Sequence, residues 1–344
     1  MKTIYKRIAT VALSLLIMVC GISVPTVSAV SKLARPQSVS VKLVSTKKAK
    51  ISWKRVSGAK KYQVYYSTGG SYKKLKTTSS KSVSHSGLKA GKTYRYKVKA
   101  VRGSKKSSYS SVEKQKTLGN NKIKVKTKVS GVKVTVRWNS VKNASGYYLY
   151  RKSSGGSYKK LADTKDRIFK DTSLTSLGKK YVYKVVPYIK DSGKKIKGAA
   201  GKKTATTAKS AYLLDIMEPY EKPYYYDTMN FVMGGDSYGH GYSCMGYGDE
   251  GFGNVTSFNL KGKFSKLTFD AGILDNDGYK NNANIYIYAD GELIEDFVID
   301  PNNLPKHYKV NVEDCIQLRI CVYSHRSVAM WDSSYGIANI KVYK

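Results

Sequence analysis

The most obvious chemistry in this 344-residue chain lies at Gly235-Asp236-Ser237-Tyr238-Gly239, which fits G-x-S-x-G. That motif makes a serine nucleophile when a strand precedes it and a helix follows, because the serine then rides a strained turn. Residues 231–233 offer the strand, but 239–253 is too rich in glycine for a helix. A glycine loop entering a sandwich strand fits better. Gly87-Leu88-Lys89-Ala90-Gly91-Lys92-Thr93 is one residue short of a phosphate-binding loop, and no helical pattern follows it. The four histidines, His85, His240, His307 and His325, have no paired spacing of the kind that holds a metal. Asp275-Asn276-Asp277-Gly278 resembles part of a calcium loop, with Asp275 and Asp277 as ligands, but lacks the later glutamate. No other cofactor is expected. Glu295-Asp296 and Glu313-Asp314 are acid pairs of the type a glycosidase needs, yet neighbours on a strand point to opposite faces. No catalytic set is assigned, so the expectation is a non-enzyme, with a hydrolase built on Ser237 as an alternative.

Aromatic side chains make a stronger case. A sugar ring has an apolar C–H face that lies well against a flat exposed ring with polar groups beside it. Tyr238, His240, Tyr242, Tyr247, His325, Arg326, Trp331, Asp332 and Tyr335 all fall in predicted loops of the C-terminal region. Trp331 is the centre of this candidate set, because Ser327, Asp332, Ser333 and Ser334 surround it outside any alternating pattern. Tyr224-Tyr225-Tyr226 is a second candidate, equally explained as a strand edge.

Composition narrows the setting. Lys2, Lys6 and Arg7 precede an apolar stretch over 8–24, and Val27-Ser28-Ala29 supplies a small-residue cleavage pattern. Residues 1–29 therefore read as a signal peptide, and the mature chain as extracellular, free or wall-associated. No later run is apolar enough to span a membrane. Cys244, Cys315 and Cys321 remain after the signal, an odd number that forbids complete internal pairing. On one strand Cys315 and Cys321 would stand about 20 Å apart, too far for a bridge.

Charge is divided unevenly. The chain carries 62 Lys and Arg against 23 Asp and Glu, yet residues 209–344 hold 12 basic and 18 acidic side chains. The first 208 residues thus hold 50 basic and five acidic ones. Such a front half suits anionic partners: a cell-wall polymer such as teichoic acid, an anionic host glycan, and nucleic acid without sequence preference.

Two copies of one unit account for the basic region. Trp53, Val56, Ala59, Tyr62, Val64 and Tyr65 recur 85 residues later as Trp138, Val141, Ala144, Tyr147, Leu149 and Tyr150. Gly-Gly-Ser-Tyr-Lys-Lys-Leu occurs at 69–75 and again at 155–161, and Tyr94-Arg95-Tyr96-Lys97-Val98 matches Tyr181-Val182-Tyr183-Lys184-Val185. A period near 86 is domain-sized rather than a solenoid repeat. Alternating runs such as Tyr94, Tyr96, Val98 and Ala100, or Val132, Val134, Val136 and Trp138, predict sandwich strands, with Tyr62, Val64 and Tyr66 sharing a face. These residues resemble fibronectin type III domains. Trp53 and Trp138 take the second-strand tryptophan, Tyr62 and Tyr147 the third-strand tyrosine, and Leu88-Lys89-Ala90-Gly91 before Tyr94 the corner. The boundaries read as 34–117 and 120–207.

Residues 209–344 read as a third β domain. Asp290-Gly291 between 284–289 and 292–299 is a two-residue hairpin signal, and 266–270, 316–323 and 337–343 are further strands. This region is similar to the NPCBM family, carbohydrate-binding modules often attached to bacterial glycoside hydrolases. The likeness rests on Tyr238-Gly239-His240-Gly241, on 258–267, and on Ile285-Tyr286-Ile287-Tyr288-Ala289-Asp290-Gly291. Where the family has an Asp-Trp pair before the last strand, this chain has Ser334-Tyr335-Gly336, with Trp331-Asp332 slightly earlier. The resemblance implies sugar binding. The expected architecture is all-β: two fibronectin-type sandwiches followed by a jelly-roll-like sandwich. The expected function is binding of a glycan or cell-wall polymer without cleavage, with sugar on the third domain and polyanions on the basic pair. An adhesin whose third domain is merely structural is the other alternative.

Overall fold

A computed structural model describes residues 32–223, 225–245, 254–278, 280–324 and 333–344. The signal stretch, Tyr224, Tyr247, His325, Arg326, Trp331 and Asp332 lie outside the described residues. All regular structure among the described residues is β, and no helix there is long and apolar enough to cross a membrane. The chain forms two compact units, one holding Lys50–Ser84 and Arg95–Lys114, the other Lys42–Ala49, His85–Tyr94 and Gln115–Lys344.

The first stretch of strands is β1 (Ser40–Ser45), β2 (Lys48–Ser52), β3 (Lys61–Ser67), β4 (Lys73–Thr78), β5 (Ser82–Ser86), β6 (Thr93–Arg102), β7 (Lys105–Lys106) and β8 (Glu113–Lys116). They form a sheet β1-β2-β5 and a sheet β4-β3-β6-β7 with β8 also on β6. The second stretch is β9 (Val125–Ser130), β10 (Lys133–Trp138), β11 (Gly146–Ser153), β12 (Lys159–Thr164), β13 (Ile168–Asp171), β14 (Lys180–Asp191), β15 (Lys194–Lys197) and β16 (Gly201–Thr206). Its order, β13-β10-β9 and β12-β11-β14-β15 with β16 on β14, repeats the first.

The repeat persists in side-chain detail. Trp53 packs on Tyr62 with ring centroids 5.3 Å apart, and Trp138 on Tyr147 at 5.8 Å. Tyr62 Oη accepts the Val56 N–H at 2.8 Å, and Tyr147 Oη accepts the Val141 N–H at 2.9 Å. The pleat explains the alternation: on β6, Tyr94, Tyr96, Val98 and Ala100 are buried while the residues between them face outward. Tyr62, Val64 and Tyr66 stand opposite the buried Ala100, Val98 and Tyr96 in an unbroken β3–β6 ladder, so they share the inner face, with Tyr66 only partly buried. The neighbouring β3–β4 ladder shifts register between Val64 and Tyr65. Each copy also fastens its corner with a threonine beyond the last strand. Thr117 Oγ1 accepts the Lys92 N–H at 3.0 Å and donates to the Lys89 carbonyl; Thr207 Oγ1 accepts the Lys179 N–H at 2.8 Å and donates to the Ser176 carbonyl.

The remaining strands are β17 (Ser210–Tyr212), β18 (Phe231–Met233), β19 (Asp236–Tyr238), β20 (Tyr242–Met245), β21 (Val255–Asn259), β22 (Lys266–Ile273), β23 (Ala283–Ala289), β24 (Glu292–Ile299), β25 (Lys306–Asn311), β26 (Gln317–Ser324) and β27 (Ser334–Tyr343). Two sheets result, β17-β27-β22-β25 with β20 on β27, and β21-β26-β23-β24, beside a small hairpin β18-β19. Leu267, Phe269, Ile337 and Ile340 from one sheet and Phe258, Ile285, Ile287 and Ile320 from the other are fully buried. The Asp290-Gly291 turn joins β23 to β24 with φ of +51° and +96°, the positive values such a turn requires.

Candidate functional site

Of the candidate residues of the third sandwich, the described ones, Tyr238, His240, Tyr242 and Tyr335, do not form one cluster. Tyr335 is fully buried on β27, and its hydroxyl lies 3.0 Å from both Ser324 Oγ and the Asn281 carbonyl. Tyr242 is buried on β20 and stacks against Tyr226 at 5.1 Å. Both were expected in exposed loops. They belong instead to strands paired with each other, Tyr242 opposite Ile337 and Cys244 opposite Tyr335, so their rings point into the interior. Tyr238 is partly buried on β19 against Phe231, Met233, Leu274 and Ala338. His240 stacks face to face on Tyr212 at 3.9 Å and meets Asp215 at 3.3 Å. Tyr225 is half exposed, while burial pushes the Tyr226 phenol up to about 12.

Alternation on β23 and β26 places other aromatics outward. Ile285 and Ile287 are buried, so Tyr286 and Tyr288 fall on the opposite face. Tyr286 meets Tyr323 edge to face at 5.4 Å, Tyr288 stands opposite Arg319, and Asn284 donates to Tyr286 Oη at 3.1 Å. The signal was present in Ile-Tyr-Ile-Tyr, but the same pattern also describes any half-buried strand.

Other chemical motifs resolve into structure. Ser237 sits in the middle of β19, the returning arm of a tight hairpin opposite Val232, and the chain continues to β20 rather than a helix. A nucleophile elbow has a different geometry. In the glycine-containing corner the backbone N–H groups of Leu88, Lys89, Gly91 and Lys92 donate to Lys47 O, Tyr94 Oη, Leu118 O and Thr117 Oγ1. None of these four is left to cradle a phosphate. Asp275 accepts the Gly234 and Gly235 N–H groups at 2.6 and 2.7 Å, and Asp277 accepts the Ser334 N–H. These carboxylates pin the β18–β19 turn and the start of β27. Glu295 and Asp296 are exposed on β24, at the edge of its sheet.

A second surface, not singled out by motif, appears on the basic copies. On the outward face of the first, Lys97 Nζ lies 3.9 Å from the Tyr72 ring centroid and 3.8 Å from that of Tyr109. Lys99, two residues along the same strand face, lies 4.0 Å over Tyr109. In the second copy Lys184 Nζ is 3.7 Å over Tyr158 and 4.7 Å over Tyr150. Beside it Lys160, Lys195 and Lys197 surround Tyr148 at 5.2–5.4 Å. Such cation–ring contacts contribute about 0.5–1 kcal/mol each at an exposed site. Asp163 is the carboxylate next to this group: it accepts from Lys195 and from Tyr188 Oη, and the Lys195 contact first of all holds its carboxyl below the usual range.

Asp171, by contrast, is buried. Burial opposes its ionisation, but hydrogen bonds from Tyr183 and Arg151, both 2.7 Å, and from Ser173 outweigh that and keep its carboxyl below the ordinary value. Cys244, Cys315 and Cys321 are buried and not in disulfides; burial pushes the Cys244 thiol up to about 12 and those of Cys315 and Cys321 to about 11.

Residues 44–111 match a family model described as a PBP1-like, fibronectin3-like domain. No curated protein matches the chain. Among solved structures it is similar to a two-domain fibronectin type III segment of chicken tenascin, with 19% identity over 50% of this chain and 99% of that one, TM-score 0.28. It is similar at 18% identity to CBM51-2 in complex with GlcNAc and INT domains of Clostridium perfringens ZmpB, over 50% of this chain and 39% of that one, TM-score 0.30. CBM51 from Clostridium perfringens GH95 in complex with methyl-galactose matches at 15% identity over 34% of this chain and 80% of that one, TM-score 0.28.

Proposed function

We propose that this is an exported, non-catalytic polymer-binding protein: the two basic sandwiches hold polyanions, and the third sandwich binds sugar. The observation that carries the reading is the partition of charge, 50 basic against five acidic residues before position 209 and the reverse bias after it. Asp163, Asp171 and Asp191 already serve internal contacts, so the lysine excess meets counterions from solution or a polyanionic partner. Charge of one sign on strands and turns does not help these sandwiches fold, because close like charges repel. For the third sandwich the reading is supported by the resemblance of 238–241, 258–267 and 285–291 to a carbohydrate-binding family and by tyrosines on its β23–β26 face.

The test uses the full chain with heparin as the probe. Binding displaces counterions, so raising salt from about 50 to 200 mM lowers affinity on the order of a thousandfold. Salt-independent binding, or none at low salt, ends the proposal.

A further inference from the structure

We infer that each basic copy carries one defined subsite for an anionic glycan, made from the tyrosine of the repeated heptapeptide and the strand lysine beneath it. The inference rests on the polyanion reading above and makes it local. Tyr72 and Lys97 are 25 residues apart in sequence, Tyr158 and Lys184 are 26 apart, yet both pairs close to under 4 Å. Pairing survives a change in chain length between its members, so neither spacing nor the heptapeptide alone imposes it. In each copy a second ring, Tyr109 or Tyr150, meets the same ammonium.

These groups lie on the face away from the core. Tyr96 and Val98 flank Lys97 and are buried on the inner side, as Tyr183 and Val185 flank Lys184. The sandwich does not need the outer pairing for its packing. In the first copy Lys97 and Lys99, at i and i+2 on one face, stand about 7 Å apart, an arrangement that an anion between them relieves.

Ligand class follows from the rings. A pyranose offers C–H groups to a tyrosine edge or face, and a charged substituent a few ångströms away reaches the ammonium. Nucleic acid would stack successive bases on parallel platforms. Here neighbouring rings are tilted instead, 88° between Tyr65 and Tyr109 and 54° between Tyr148 and Tyr150, and an ammonium already covers one face of Tyr72 and of Tyr158.

The experiment compares full-length wild type with the double variant Tyr72→Ala, Tyr158→Ala, which leaves net charge unchanged. Three probes are titrated at low salt: heparin, polyphosphate, which has no rings, and oligo(dT). The expected result is a loss of heparin affinity on the order of tenfold, polyphosphate affinity within about twofold of wild type, and recovery in Tyr72→Phe, Tyr158→Phe. Equal loss for heparin and polyphosphate, or no loss for either, overturns the subsites; the second outcome leaves diffuse charge binding standing. A larger loss for oligo(dT) than for heparin overturns them in favour of base stacking. Failure of wild type to bind any probe sinks the broader reading instead. If the alanine variant melts early, Lys97→Gln, Lys184→Gln is compared with Lys126→Gln, Lys128→Gln, which removes equal charge from exposed positions on β9. The first pair must cost more heparin affinity than the second; equal losses refute the subsites.

Discussion

Both halves of this molecule have interior and outward tyrosines; they differ in how crowded with lysine the outward rings are. On the basic sandwiches outward tyrosines take lysine ammonium groups on their faces, as Tyr72 and Tyr158 do. On the third sandwich Tyr242 and Tyr335 are interior, and the outward Tyr286 meets another ring and an asparagine. The pleat is the same in both, and what an outward ring meets depends on its cross-strand neighbours: Tyr343 of the third sandwich takes Lys266 at 4.3 Å. The lesson is that a tyrosine count says little about binding until each ring's side of the sheet and its neighbours are known.

The largest expected effect contrasts two tryptophans. Trp138 is buried on Tyr147, so Trp138→Ala costs about 3–5 kcal/mol in chemical denaturation. Trp331→Ala is expected to change stability by no more than about 0.5 kcal/mol while weakening glycan binding by the full chain. Melting and glycan affinity measured on the same two proteins check this. A collapsed melt for Trp331→Ala makes that ring structural too, and the proposed division of labour fails.

Next comes acid. Asp171 ties β13 to β11 and β14 through Arg151 and Tyr183, whereas the acids of the third sandwich's β24 edge are exposed. Because the folded-state pKa of Asp171 is depressed, its stabilisation is full above the ordinary carboxyl value of about 3.9. It is lost as pH falls through the lower folded value. Asp171→Asn should cost about 3 kcal/mol at pH 7, and the gap to wild type should narrow towards pH 3. Denaturant melts at both values test the sign; a gap that widens in acid refutes it.

The smallest effect concerns the thiols of Cys244, Cys315 and Cys321 in the third sandwich. Their raised pKa values leave little thiolate at neutral pH. Melts with and without reductant should superimpose, and native alkylation should be slow. A drop in melting temperature on reduction would mean that Cys244 pairs with another cysteine.

Much of the fold was legible in the residues themselves. Period-two alternation and turn chemistry are local, so β6, β10, the Asp290-Gly291 hairpin and the duplicated unit could be read directly. Sequence also determined the charge division, which no packing can alter. What tertiary structure decided is everything that depends on a distant neighbour. Whether Tyr335 was an exposed ring or a core ring turned on strand pairing with 242–245. The threonine clasps at 117 and 207 and the lysine–tyrosine pairs join residues at least 25 positions apart. Side-chain period fixes which face a residue takes within its own strand, but only the register between strands fixes what it meets there.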